Sequence, residues 1–230
     1  MADFNDIGIP RQLDWSRVRK LLTIGVFGAL LHLAGDLILG WGVEDESLTG
    51  LFRMLSAYTA TSDGGILASA LLGLFGMTLE GLSFFGVYRL MAERSPKDAH
   101  RYRSGILGYL IFGACGFHVP TCALVFLARQ GLPEETLVMK FALYFLLPAT
   151  ALFWVFFLLL AVTQIAAFAK GYTPYSGWCW VFSPLVGGLA AQALGFLGNL
   201  PALNAIACAW LAIGCLWMFG GLLCLCGKAR

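Results

Sequence analysis

Six apolar stretches, each long enough to cross a bilayer, limit what this chain can fold into more than any other feature. A helix rises 1.5 Å per residue, so about 20 apolar residues are needed to span the roughly 30 Å hydrocarbon core. The stretches cover about residues 18–41, 65–91, 103–128, 136–168, 178–197 and 203–225. Composition agrees, since 59% of the 230 residues are hydrophobic and only 12% are charged, whereas a soluble domain carries about a quarter charged residues. A water-soluble globule, a disordered chain, a nucleic-acid-binding module and a secreted disulfide scaffold are excluded on this ground. The net charge of +2 is too small to imply an acidic partner. The fold class expected is all-α: a single transmembrane domain over residues 1–230, built as a six-helix bundle with membrane lipids as its surroundings.

Orientation follows from Lys and Arg alone, because positive loops stay on the cytoplasmic side. With the N-terminus inside, the inner side receives Arg11, Arg17, Arg19, Lys20, Arg89, Arg94, Lys97, Arg101, Arg103, Lys170, Lys228 and Arg230. The outer side receives Arg53, Arg129 and Lys140, so twelve of the fifteen basic residues lie inside and three outside. Both termini are expected to be cytoplasmic, in a multi-pass protein of the cell membrane. The first twenty residues are polar and end in a basic cluster, so the run that follows reads as an uncleaved anchor.

The longest loop, residues 42–64, falls on the outer side. Within it Leu51, Phe52, Met54, Leu55 and Tyr58 recur at helical spacing with Arg53 and Ser56 opposite, which predicts a short interfacial helix. Its functional alternative is a lid over a cavity. Pro120, Pro148 and Pro184 fall inside expected spans and should kink them. Gly198, Asn199, Leu200 and Pro201 read as the turn between the last two helices. Seven cysteines cannot all pair within one chain, and without a CxxC pair they read as small buried hydrophobes.

An ionisable group inside a membrane span costs roughly 2.5 to 3.5 kcal/mol. Against that cost, the first three spans hold His32, Asp36, Glu80 and His118, and the last three hold no Asp, Glu or His. Counted from the span midpoints, His32, Glu80 and His118 fall within about 6 Å of one level. His32 and Asp36 are four residues apart and share a helix face. Gly25, Gly28, Ala29, Gly35 and Gly40 lie on that face, and Gly73, Gly76 and Ser83 lie beside Glu80. Small residues let helix backbones approach closely, so these faces should point inward.

Three functions are open to such a cluster. A carboxylate beside an imidazole in a dry pocket is suited to moving protons, so His32, Asp36, Glu80 and His118 are candidate catalytic residues acting on an apolar small molecule or lipid. The same groups could hold a divalent metal that activates water. Cys115, His118 and Cys122, at i, i+3 and i+7, are an alternative soft-metal set. The second function is proton-coupled transport or lipid carriage. The third is structural, with His32–Asp36 and Glu80–His118 as hydrogen-bonded pairs that fix packing.

The pieces HLAGDLILGW in the first span and GFHVP in the third resemble a family of small bacterial multi-pass membrane proteins of uncharacterised function. The resemblance rests on Gly35, Asp36, Gly40 and His118, covers about the first half of the chain, and implies no reaction. The seven-helix zinc hydrolases of membrane lipids also carry His and Asp in helices. This chain departs from them in having six spans and three His, with His100 expected in a loop.

The topology is directly testable. A reporter active only outside the cell should be silent when fused after Arg230 and active when inserted beside Glu134. Activity of the C-terminal fusion would overturn the six-span reading.

Overall fold

The computed structural model describes residues 13–130 and 135–228, and helices without strands make up its regular structure there. Arg11, Arg230 and the reporter position at Glu134 lie outside the described residues.

Asp14 caps the first helix, α1 (Trp15–Gly40), by accepting a hydrogen bond from the Arg17 amide at 3.1 Å. A short α2 (Gly50–Ser56) follows, and Ser62 then caps the 30-residue α3 (Asp63–Ala92). Pro96 starts α4 (Pro96–Phe112), which runs through one π-helical turn (Ala114–His118) into α5 (Val119–Arg129). The next long element repeats this plan, with α6 (Glu135–Phe141), a π turn (Ala142–Leu146) and α7 (Leu147–Ala169). In each case a proline follows two residues after the turn, Pro120 and Pro148. Proline has no N–H to donate and its ring crowds the preceding turn. The wider π turn absorbs this, and His118 donates its amide to the Gly113 carbonyl at 2.9 Å, five residues back.

The last third is more broken than the sequence suggests. Pro184 does not kink a span; it occupies the first turn of α8 (Pro184–Gly195), after a 3₁₀ turn at Gly177–Val181. α9 (Pro201–Cys208) and α10 (Trp210–Leu225) meet at an angle of 64°. Among the described residues, four helical runs are long and apolar enough to cross a membrane: Trp15–Gly40, Asp63–Ala92, Pro96–Arg129 and Leu137–Ala169. The bent α9–α10 pair makes a fifth if it is taken as one span. Phe27, Leu67, Phe75, Ile111, Phe145 and Val155 are each more than half exposed. Such a surface is at home in lipid and costly in water.

Two cores lie inside. The larger is built around Phe84, Tyr102, Tyr109, Phe153, Phe157 and Phe219, and the smaller around Leu39, Leu55, Ile66, Leu124 and Val125. The loops at the α2 end are latched by amides. Asn199 and Glu44 exchange hydrogen bonds at 2.9 Å in both directions, and Asn204 donates to the Gly42 carbonyl at 2.9 Å.

α1 and α3 are the most intimately packed pair. A Cβ on Gly76 would lie 2.6 Å from the His32 amide nitrogen and 2.8 Å from the Gly28 carbonyl oxygen. Both are backbone atoms, so the only relief is to separate the helices. Gly76→Ala should therefore destabilise the protein by about 1–3 kcal/mol, the usual cost of overpacking. Gly220, with nothing within 4 Å of an added Cβ, should accept alanine without loss. Thermal unfolding in detergent checks both, and a wild-type melt for Gly76→Ala would refute the contact.

Candidate functional site

His32 sits on the buried face of α1 and is held from both ring nitrogens. Its Nε2 lies 3.2 Å from Asp36 Oδ2, one turn on, and its Nδ1 lies 3.2 Å from Glu80 Oε1 on α3. Glu80 also accepts a hydrogen bond from the Tyr109 hydroxyl of α4, at 2.5 Å. Asp36 reaches in the other direction to His118, whose Nδ1 lies 3.5 Å from Oδ1. His118 Nε2 donates to the Ser69 carbonyl of α3 at 3.0 Å. The two imidazole rings meet edge to face with centroids 5.3 Å apart. All four ionisable side chains are buried.

The structure thus brings His32, Asp36, Glu80 and His118 into one chain of contacts, with partners that differ from the sequence expectation. Glu80 pairs with His32 and Tyr109, and Asp36 bridges the two histidines, so Glu80–His118 is not a direct pair. The alternative set of Cys115, His118 and Cys122 is not assembled. Cys115 is exposed while His118 and Cys122 are buried, because the extra residue of the π turn rotates Cys115 off the shared face. Cys122 Sγ lies 3.8 Å from His118 Nε2, the nitrogen already committed to Ser69. Cys224 is exposed as well, so only part of the cysteine set packs as buried hydrophobes. His100, expected in a loop, is an exposed residue of α4.

Tyr109 and Ser69 carry no sequence signal of their own, and Gly73, read from the sequence as a small residue beside Glu80, serves His118 as well. Tyr109 is one aromatic among many. Ser69 acts through its carbonyl, which any residue supplies. Gly73 acts through an absence: a Cβ there would fall 2.0 Å from His118 Nε2, so the ring occupies the space that a side chain would fill.

A cavity of about 460 Å³ opens beside the cluster. His32, Asp36 and His118 are in its wall, Glu80 is not, and the rest of the lining is mostly leucine, methionine and aromatic side chains. α2 contributes Leu51, Met54 and Leu55, α7 contributes Leu147 and Thr150, and the α9–α10 corner contributes Cys208, Trp210 and Leu211. The short helix predicted at residues 51–58 therefore forms part of the wall of the cavity. The Thr150 hydroxyl is buried without a hydrogen-bond partner, an unusual state for a buried polar group.

Fold and cluster together define the class, a multi-helix protein with spans suited to a membrane and a buried His/carboxylate cluster beside an apolar cavity. The chain belongs to a family of unknown function, DUF6796, whose profile matches residues 4–229. The match covers nearly the whole chain, where the resemblance carried by Gly35, Asp36, Gly40 and His118 covers half. No curated protein and no solved structure matches.

Gly73 offers a way to disturb the site without removing any titratable group. Gly73→Ala should push the His118 ring off the Ser69 carbonyl and cost about 1–3 kcal/mol by overpacking. Tyr109→Phe should cost about 1–3 kcal/mol by leaving the buried Glu80 oxygen short of a donor. Thermal melts of the two variants check this, and unchanged midpoints would contradict the contacts described.

Proposed function

We propose that the protein crosses the cell membrane six times with both termini cytoplasmic, and binds an apolar small molecule or lipid in the cavity. The six crossings are α1, α3, α4–α5, α6–α7, the 3₁₀ turn with α8, and α9–α10. The ligand's polar group meets His32, Asp36 and His118, where acid–base or metal-assisted chemistry converts it.

The observation that carries this reading is the position of three buried ionisable groups in the wall of an otherwise apolar cavity. A volume of about 460 Å³ falls within the range of small-molecule pockets, about 300–1,000 Å³, which combine apolar walls with a few polar groups. Ligands that reach this depth in a membrane are themselves apolar. With carboxylates and imidazoles in contact, a proton can be passed along the chain from Glu80 through His32 to Asp36 and His118.

One observation favours a carrier instead. The 64° corner between α9 and α10 falls where Cys208, Trp210 and Leu211 line the cavity, and broken helices beside a binding site are a device of transporters.

Protein purified in mild detergent without delipidation should carry an extractable apolar molecule, identified by mass spectrometry. Leu146→Trp, which narrows the cavity from its α6–α7 wall, should reduce that retention at least tenfold. Equal retention by wild type and variant would sink the reading. Chemical change of the molecule on the isolated protein marks an enzyme, whereas movement between vesicles without change marks a carrier.

A further inference from the structure

The hydrogen-bond partners of the two histidines place the single proton of each neutral ring. The Ser69 carbonyl can only accept, so the proton of His118 is on Nε2 and its Nδ1 presents a lone pair to Asp36. The Glu80 carboxylate, which already accepts from Tyr109, is an acceptor towards His32 Nδ1. In the neutral ring the proton of His32 is therefore on Nδ1, and its Nε2 lone pair also faces Asp36. With both rings neutral, as metal ligands must be, two imidazole lone pairs and a carboxylate face one another. Three acceptors crowded in a low-dielectric interior repel one another unless a proton or a metal cation sits among them.

We propose that His32 Nε2, the Asp36 carboxylate and His118 Nδ1 bind one divalent first-row transition-metal ion, with its open coordination position towards the cavity. One ligand atom from each residue lies within 4.8 Å of the others. The contacts to Asp36, 3.2 Å from His32 Nε2 to Oδ2 and 3.5 Å from His118 Nδ1 to Oδ1, set the carboxylate between the two rings with one oxygen turned to each. Metal-binding histidines typically give their second ring N–H to a carboxylate or a backbone carbonyl. Glu80 and Ser69 are one of each. Charge also balances, because neutral imidazoles with Asp36 and Glu80 ionised offset a divalent ion, as a buried charge requires. Two His and one carboxylate with a free position is the donor set of catalytic zinc and non-haem iron sites. All three ligands line the cavity and Glu80 does not, so the free position faces the space a ligand would occupy.

The inference deepens the cavity reading, but its test needs only the metal. Full-length protein in detergent, stripped with a chelator, is titrated with Co²⁺ and followed by absorption and thermal unfolding. One equivalent should bind, with ligand-field bands, no thiolate charge-transfer band and a raised melting midpoint. Asp36→Asn and His118→Gln should each weaken binding at least tenfold. Glu80→Gln, one layer out, should weaken it about 10- to 100-fold, and Cys115→Ser should leave it unchanged. Absence of stoichiometric binding to the wild type, or a thiolate band, overturns the site even if the variants do not fold. Binding unmoved by folded Asp36→Asn overturns it too. Loss of Co²⁺ binding with the extractable molecule still retained refutes the metal alone. Co²⁺ binding with equal retention by wild type and Leu146→Trp refutes the cavity reading and leaves the metal standing.

Discussion

The approach of α1 to α3 is the constraint on which the site depends. In a bilayer, helices gain little from hiding apolar surface and associate through close packing and interhelical hydrogen bonds. At this seam Gly28 faces Gly76, and a side chain on either would collide with the other helix's backbone. The approach that supplies packing also sets His32 within 3.2 Å of Glu80. Gly35 lies against the Ser69 carbonyl, the atom that holds His118. Stability and site geometry are therefore coupled, and a residue that widened the seam would loosen both.

Helical spacing is enough to place His32 and Asp36 on one face and to send the glycine-lined faces inward, and every residue of that α1 stripe is buried. Spacing could not assign partners. Depth counted along a span gives a level in the membrane but no direction around the helix axis, so Glu80 and His118 looked equally suited to each other. Tyr109 shows the difficulty most clearly. Nine residues of uninterrupted α-helix would put it about 180° from His118. The added residue of the π turn removes about 100° of that and lets both side chains reach the cluster. Pro120 marks where the helix must adjust, yet a kink and a π turn are both open to it.

The α9–α10 corner has no local signal. Neither a proline nor a glycine lies at Ala209, and hydropathy runs smoothly through it. Beside the corner α8 packs on α10, with Gly187 and Gly188 against Trp210, Gly214 and Trp217, closely enough that added Cβ atoms would fall 2.8 to 3.3 Å away. These contacts are tertiary, and reading the corner's own residues cannot reveal them. The same holds for the latch of Asn199 and Asn204 on the loop at Gly42 and Glu44. The turn at residues 198–201 was recognisable, but its partner 155 residues away was not.

The arrangement of the four ionisable groups weighs against a purely structural role. A cluster that served only to fix packing would be strongest when sealed from any cavity, with every acceptor matched to a donor. Glu80 meets that description, since it is fully enclosed and faces Tyr109 and His32. Asp36 is placed differently, between two imidazole nitrogens and in the wall of the cavity. Its neighbours cannot turn away: Glu80 pins one ring, and Ser69 with the space left by Gly73 pins the other. A bundle built for stability alone would have little reason to hold a carboxylate so firmly beside a cavity. A bundle built to receive a charged or polar centre at that point would need this rigidity, because a preorganised site does not reorganise when its ligand arrives.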